Sequence, residues 1–328
     1  MSTTPSSSLH FTSMWGSDRP KSGQDQPQVD AAKHVDAASE RALVLGGGGS
    51  TGNAWLIGVV AGLFDAGLDV TEADLVIGTS AGATAAAQFA GSTPAQLLAD
   101  IRGDAPQQRS GPGESGRAPV RPAADHMERT GKIIAVAEDA ADMRRRIGAA
   151  ALEMDASLDG SEHTRWRAIV AARLSSQRWP QRALLVTAVD ARTGEPIVFH
   201  RASGVDLVDA VAASCASGFA YRIGDERYID GGYRLNENAD LAIGYGRVLV
   251  LSPFGGRTRT PPKWGMHLAA QLEELRARGS RVETIFPDSN SEHMFGANAM
   301  DLSLRPAAAR AGYNQGTALS AQLTEFWR

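Results

Sequence analysis

Three short glycine-bearing segments carry residue types and spacings suited to acyl transfer. Gly78-Thr79-Ser80-Ala81-Gly82 lies between the apolar run Asp74-Leu75-Val76-Ile77 and an alanine-rich stretch through Ala90. A nucleophilic serine must project into a substrate site while the chain reverses sharply, and small residues two positions either side permit that strained turn. The N-terminus of the following helix favours negative charge developing nearby. Alone, the pattern also occurs as an ordinary glycine turn. Its strand–turn–helix setting is what makes Ser80 a candidate nucleophile.

Upstream, Gly46-Gly47-Gly48-Gly49 follows Ala42-Leu43-Val44-Leu45, with Gly52 completing the motif. Acyl transfer needs donors aimed at the oxygen that becomes negative in the tetrahedral intermediate. Consecutive glycines let the N–H groups of Gly47, Gly48 and Gly49 point into one concavity, because no Cβ obstructs the turn or the substrate. The same residues fit a dinucleotide fingerprint, Gly47-x-Gly49-x-x-Gly52. That reading needs an acidic residue closing the second strand about 20 positions on. Here that strand ends in Ile77-Gly78-Thr79-Ser80, and no Gly-Lys-Ser/Thr follows the glycines. The nucleotide reading therefore loses to the oxyanion loop.

The third segment is Asp230-Gly231-Gly232, after Arg227-Tyr228-Ile229. A carboxylate within reach could accept the serine proton, although an unperturbed value of about 3.9 makes it a weak base. Glycines after it let its loop approach closely; by itself the tripeptide also reads as a plain turn. His267 and His293 follow Asp230 and leave a Ser–Asp–His order open, but neither lies in a recognisable loop motif. No metal-ligand spacing appears, so neither a metal nor another cofactor is expected.

The elements positioning these segments alternate. Strands are expected at 42–45, 74–77, 183–189, 196–200, 227–229, 247–251 and 282–286. Helices are expected at 52–66, 81–90, 127–158, 162–176, 205–214, 263–278 and 307–326. Strand, glycine loop and helix in succession indicate a parallel sheet with helices on its faces. Residues 1–38, rich in Ser, Thr, Pro and Gln, read as a disordered tail. Residues 39–328 read as one domain, with a low-complexity insertion at about 103–125.

Together the three segments resemble the patatin-like phospholipase family. The resemblance runs from about Ala42 through Ala242 and includes Ala213-Ser214-Cys215-Ala216 and Asn238-Ala239-Asp240-Leu241-Ala242. It implies an α/β fold, a three-layer α/β/α sandwich with a mainly parallel central sheet. It also implies a Ser80–Asp230 dyad without histidine, an oxyanion hole at Gly47–Gly49, and a lipid or small acyl ester as substrate. The motif glycines are Gly46, Gly52, Gly78, Gly82, Gly231 and Gly232. Two positions depart from the pattern. Thr51 stands where many relatives carry Arg or Lys, and Ser217-Gly218 stands where a proline commonly follows. The alternative reading is a catalytically weak relative that binds acyl chains or a partner.

The chain has 328 residues, 43% hydrophobic, with a mild net charge of -4, which gives no hint of nucleic acid as a partner. The single cysteine, Cys215, excludes an internal disulfide. Met1–Gln28 lacks a charged start followed by an apolar core, and no run of about 18 apolar residues occurs. A cytoplasmic protein with at most peripheral membrane contact is expected. Arg144-Arg145-Arg146 and Trp166, Trp179 and Trp264 are candidates for such contact, or for an ordinary solvated face and packing.

Overall fold

Apolar residues alternate between two faces along the central strands, and each face collects its own helices. The computed structural model describes residues 40–103, 122–157 and 160–328. In β1 (Arg41–Leu45) and β7 (Arg247–Leu251), Leu43, Leu45, Leu249 and Leu251 pack on one face. Ala42, Val44, Val248 and Val250 pack on the other. The first face is covered by α1 (Gly49–Asp65), α2 (Ala81–Phe89), α3 (Pro94–Gly103), α7 (Leu207–Ser214) and α9 (Arg305–Trp327). The second is covered by α8 (Leu268–Ala277) and the 3-10 turn Ala239–Ala242. Three layers result, as expected. Trp55, Leu56, Ile57, Val59, Val60 and Leu63 of α1 are essentially inaccessible to water, each contributing roughly 1.5–3 kcal/mol.

The remaining strands are β2 (Leu75–Gly78), β3 (Ala183–Asp190), β4 (Pro196–Phe199), β5 (Tyr221–Ile223), β6 (Glu226–Asp230) and β8 (Arg281–Ile285), in the order β5-β6-β3-β2-β1-β7-β8. The run from β3 to β8 is parallel, whereas β4, β6 and β5 are antiparallel additions. One feature of β3 positions everything that follows. Val186 pairs with Gly78 of β2 and Phe199 of β4, and Ala188 pairs with Asp230 of β6 and Ile197 of β4. Because β4 takes one edge throughout, β2 and β6 share the other. They run toward each other and both end beside Thr187, which brings the residues after Gly78 and at Asp230 to one place.

On the outer layer α1 and α9 pack backbone to backbone. A Cβ at Gly58 or Gly62 would meet the carbonyl oxygens of Ala309 and Tyr313 at 2.1 and 2.2 Å, and one at Gly312 would meet that of Trp55 at 2.3 Å. This contact brings the start of α9 beside the first turn of α1.

Several expectations need correction. The single helix expected over 127–158 is two, α4 (Pro122–Val136) and α5 (Ala140–Ala156), because the Asp139 carboxylate accepts the Asp142 N–H and starts a new helix. Helix α3 was not expected, although Thr93 and Gln96 form a capping box around Pro94. Strand β5 was also missed. The helix expected over 162–176 ends earlier, as α6 (Ser161–Ala171), and that over 263–278 begins at Leu268. The expected tail at 1–38 lies outside the described residues. So does the expected insertion except at its ends, where Gly103 closes α3 and Pro122–Asp125 begin α4. The arginine cluster has structural partners, with Arg144 donating to the Gly194 carbonyl and Arg146 paired with Asp142. Trp166 and Trp179 pack on the core and donate to the Ala212 and Val205 carbonyls. Among the described residues no helix is long and apolar enough to cross a membrane.

Candidate active site

Ser80 is one of two non-glycine residues described with positive φ, at 52° with ψ −112°. An L-residue is held there only when its surroundings over-determine it. Gly78 and Gly82 make the turn sterically possible. A Cβ at Gly82 would sit 1.9 Å from the Leu45 carbonyl oxygen, and one at Gly78 would sit 2.6 Å from the Ala83 Cα. The Ser80 N–H donates to the Ser214 hydroxyl at 2.9 Å, and the Cys215 thiol donates to the Ser80 carbonyl at 3.2 Å. The same segment holds the Asp loop, since the Asp230 N–H donates to the Ala216 carbonyl at 2.9 Å. Ala213–Ala216 is thus the strut shared by both candidate residues. Burial pushes the Cys215 thiol up to about 12, so it serves as a neutral donor.

Asp230 ends β6 and accepts the Gly232 N–H at 2.8 Å, and the Ser80 hydroxyl lies close enough to favour its ionised form. Desolvation is the larger influence on its carboxyl and raises it from 3.8 to about 6 against the opposing effects of the Gly232 N–H and the Ser80 hydroxyl. Gly231 is required by close approach: a Cβ there would lie 2.3 Å from the Thr187 carbonyl oxygen. Beneath the pair, Asn238 in the left-handed region (φ 56°) places one amide nitrogen, with two protons to share, within hydrogen-bond distance of the Thr79 and Thr187 hydroxyls and the Gly231 and Leu235 carbonyls. It fastens the serine turn, β3 and the Asp loop together. Sequence reading passed over this role for Asn238, and over Thr79 and Thr187. A polar residue able to adopt positive φ soon after Asp-Gly-Gly was the available signal.

The glycine turn corrects one expectation. The Gly47 N–H donates to the Asn236 carbonyl at 2.9 Å and is not available to a ligand; Gly46 likewise donates to Leu251. The N–H groups of Gly48 and Gly49 have no acceptor within the described residues. Both precede or begin α1, where the partial positive charge of the helix adds to their own. Gly49 has φ 65°, and a Cβ at Gly48 would lie 2.6 Å from that of Pro253. Gly52 faces the same proline at 3.0 Å. Thr51 is fully buried, donating from N–H and hydroxyl to the Ala299 carbonyl.

No described histidine hydrogen-bonds Ser80 or Asp230. His293 is exposed, and His267 starts α8 with a buried Nδ1 lacking a partner. His126 reaches only Tyr233, at 3.0 Å. Among the described residues no three His, Cys, Asp or Glu side chains come together to hold a metal. A cleft of about 930 Å³ lined by Val76, Phe89, Trp179 and Leu207 includes neither Ser80 nor Asp230.

Residues 43–243 match the family model described as patatin-like phospholipase. Among solved structures, the chain is similar to VipD from Legionella pneumophila at 15% identity and a TM-score of 0.38, over 87% of this chain and 67% of that one. It is similar to the type III effector protein ExoU at 18% identity and a TM-score of 0.36, over 88% of this chain and 53% of that one. No curated protein matches the chain.

Proposed function

The chain belongs to the patatin-like phospholipase family, and from that membership we propose that it is a serine-dependent hydrolase of lipid acyl esters working through a Ser80–Asp230 dyad. The observation that carries this reading is that the strained Ser80 turn and the buried Asp230 loop are held by one strut, Ala213–Ala216, with the Ser80 hydroxyl close enough to act on a carboxyl raised to about 6. A general base works best when its own affinity for the proton is near the working pH, and burial moves Asp230 toward that range. The Ser80 Oγ attacks the ester carbonyl while its proton passes to Asp230. The carbonyl oxygen takes the negative charge, opposite the Gly48 and Gly49 N–H groups. Collapse breaks the ester bond, and the Asp230 proton leaves with the alcohol. Water then attacks the acyl-enzyme with Asp230 again as base, releasing the acid and restoring Ser80.

Hydrolysis of p-nitrophenyl esters of several chain lengths, beside fluorophosphonate labelling, tests the reading directly. A folded protein that does neither would leave the acyl-chain or partner-binding alternative.

Because the base must be ionised to accept the proton, kcat should rise with pH through an apparent value near 6 and level off above it. A profile flat from pH 5 to 8, measured with a substrate whose binding does not titrate, would remove Asp230 as base.

A methyl at Gly48 must displace Pro253 or the turn itself. Gly48→Ala should therefore lower kcat by roughly 10²–10³, the cost of one lost oxyanion donor, with KM little changed. Wild-type kcat in the variant, shown to be folded by circular dichroism, would mean that this turn does not hold the oxyanion.

A further inference from the structure

We propose, on the reaction put forward above, that Arg305 is a positioning residue that aims the Gly48 and Gly49 N–H groups by clamping the first turn of α1. Its guanidinium donates from Nη1 to the Ser50 carbonyl at 2.7 Å and to the Ser50 hydroxyl at 3.1 Å. From Nη2 it donates to the Asn53 side-chain oxygen at 3.2 Å. Ser50 directly follows the two glycines with open N–H groups. Its carbonyl lies two peptide planes on from the one carrying the Gly49 N–H, so holding it anchors the end of the turn from which both N–H groups are aimed.

Asn53 extends the clamp to the nucleophile. With its oxygen taken by Arg305, the buried amide presents its nitrogen to the Ala81 carbonyl at 3.4 Å and to the Gln88 side chain at 3.0 Å. Ala81 opens α2 and follows Ser80. One guanidinium thus holds the donor turn and, through Asn53, the turn presenting the attacking oxygen. Its planar fork suits this task, because two acceptors on successive faces of a helical turn are met by separate nitrogens; an ammonium is a single point. The charge also adds to the positive end of α1 where the oxyanion would form.

The placement depends on the backbone contact of α9 with α1 described above. A second tether from the same region is the Ala299 carbonyl, which accepts the Thr51 N–H at 3.0 Å. Both lie beyond residues 43–243 that match the family model, so the C-terminal segment of this chain completes the donor turn from outside that span.

The test compares the full-length wild type with R305Q and R305K. Each is assayed on a p-nitrophenyl ester and titrated with two inhibitors of equal chain length. One is a trifluoromethyl ketone, which Ser80 converts to a tetrahedral adduct bearing the negative oxygen. The other is a non-electrophilic ether that only occupies the site. R305Q should lose about 10²-fold in kcat, the scale of a misplacement of about 1 Å, with KM nearly unchanged. Ketone affinity should fall in parallel, ether affinity should hold, and the pH midpoint near 6 should stay. R305K, keeping the charge but not the bridge, should recover part of the loss, and it serves as the reading should R305Q not fold. Wild-type kcat in either folded variant overturns the proposal. So does a loss confined to KM, or equal weakening of ketone and ether. A wild type that neither turns over the ester nor binds the ketone overturns the underlying reaction and this role with it, an outcome distinct from an active enzyme indifferent to Arg305.

Discussion

Ser80→Ala is expected to lower ester turnover by on the order of 10⁴-fold or more and to abolish labelling by a fluorophosphonate. No neighbouring group is arranged to replace the lost oxygen. The Thr79 hydroxyl faces Thr187 and Asn238, away from the Ser80 side of the turn. Ser214 accepts the Ser80 N–H, and its hydroxyl is fully buried. Cys215 is the nearest thiol, but burial holds it neutral to about pH 12, and the thiolate is the nucleophilic form. The variant should remain folded, because the strained backbone is supported by Gly78, Gly82 and the Ser214 hydrogen bond rather than by the hydroxyl itself. Mass spectrometry of the labelled wild type should place the adduct on the peptide containing Ser80. Adduct at another serine, or labelling that survives in Ser80→Ala, would remove Ser80 as nucleophile.

Asp230→Asn should cost on the order of 10²-fold or more in kcat, the range of general-base catalysis, and should make the protein more stable at neutral pH. The second effect follows from the direction of the carboxyl shift. Its value in the fold, about 6, lies above the 3.8 of a free carboxyl, so the folded state favours the protonated form. That preference stabilises the fold fully below pH 3.8 and is lost as pH rises through 6. Above pH 6 the buried carboxylate is a burden of about 3 kcal/mol, at about 1.4 kcal/mol per pH unit. A neutral amide keeps the acceptor for the Gly232 N–H without the charge. Calorimetry should therefore find Asp230→Asn melting above wild type at pH 8, with the gap closing toward pH 4. His267→Ala and His293→Ala should leave kcat near wild type. Either one as inactive as Asp230→Asn while still folded would replace the dyad with a triad.

Much of the candidate site was legible because its requirements are local. A serine flanked at two positions by glycine, between an apolar run and an alanine-rich helix, encodes the turn through sterics spanning five residues. The strand and helix alternation in β1, α1, β2 and α2 is a matter of periodicity and caps within each segment. Even the misses at Asp139 and Thr93 were local, since both are capping residues with their partners three positions on. The approach of Asp230 to Ser80 was not legible in this way. It depends on β6 running antiparallel into the edge of β3 that β2 has vacated, a pairing between strands with no shared local signal. Which glycine keeps a free N–H was equally hidden, because Asn236, 189 positions away, takes that of Gly47. The raised carboxyl of Asp230 reflects the packing above it, and the guanidinium at Ser50 comes from 255 residues downstream. The sequence by itself therefore determined which residues can do chemistry and how each bends its own stretch of backbone, because steric and capping constraints act within a few residues. Only the tertiary structure decided which groups meet, which donors remain unused and how far a carboxyl is from water, because those are set by strand pairing and burial between segments that sequence spacing does not connect.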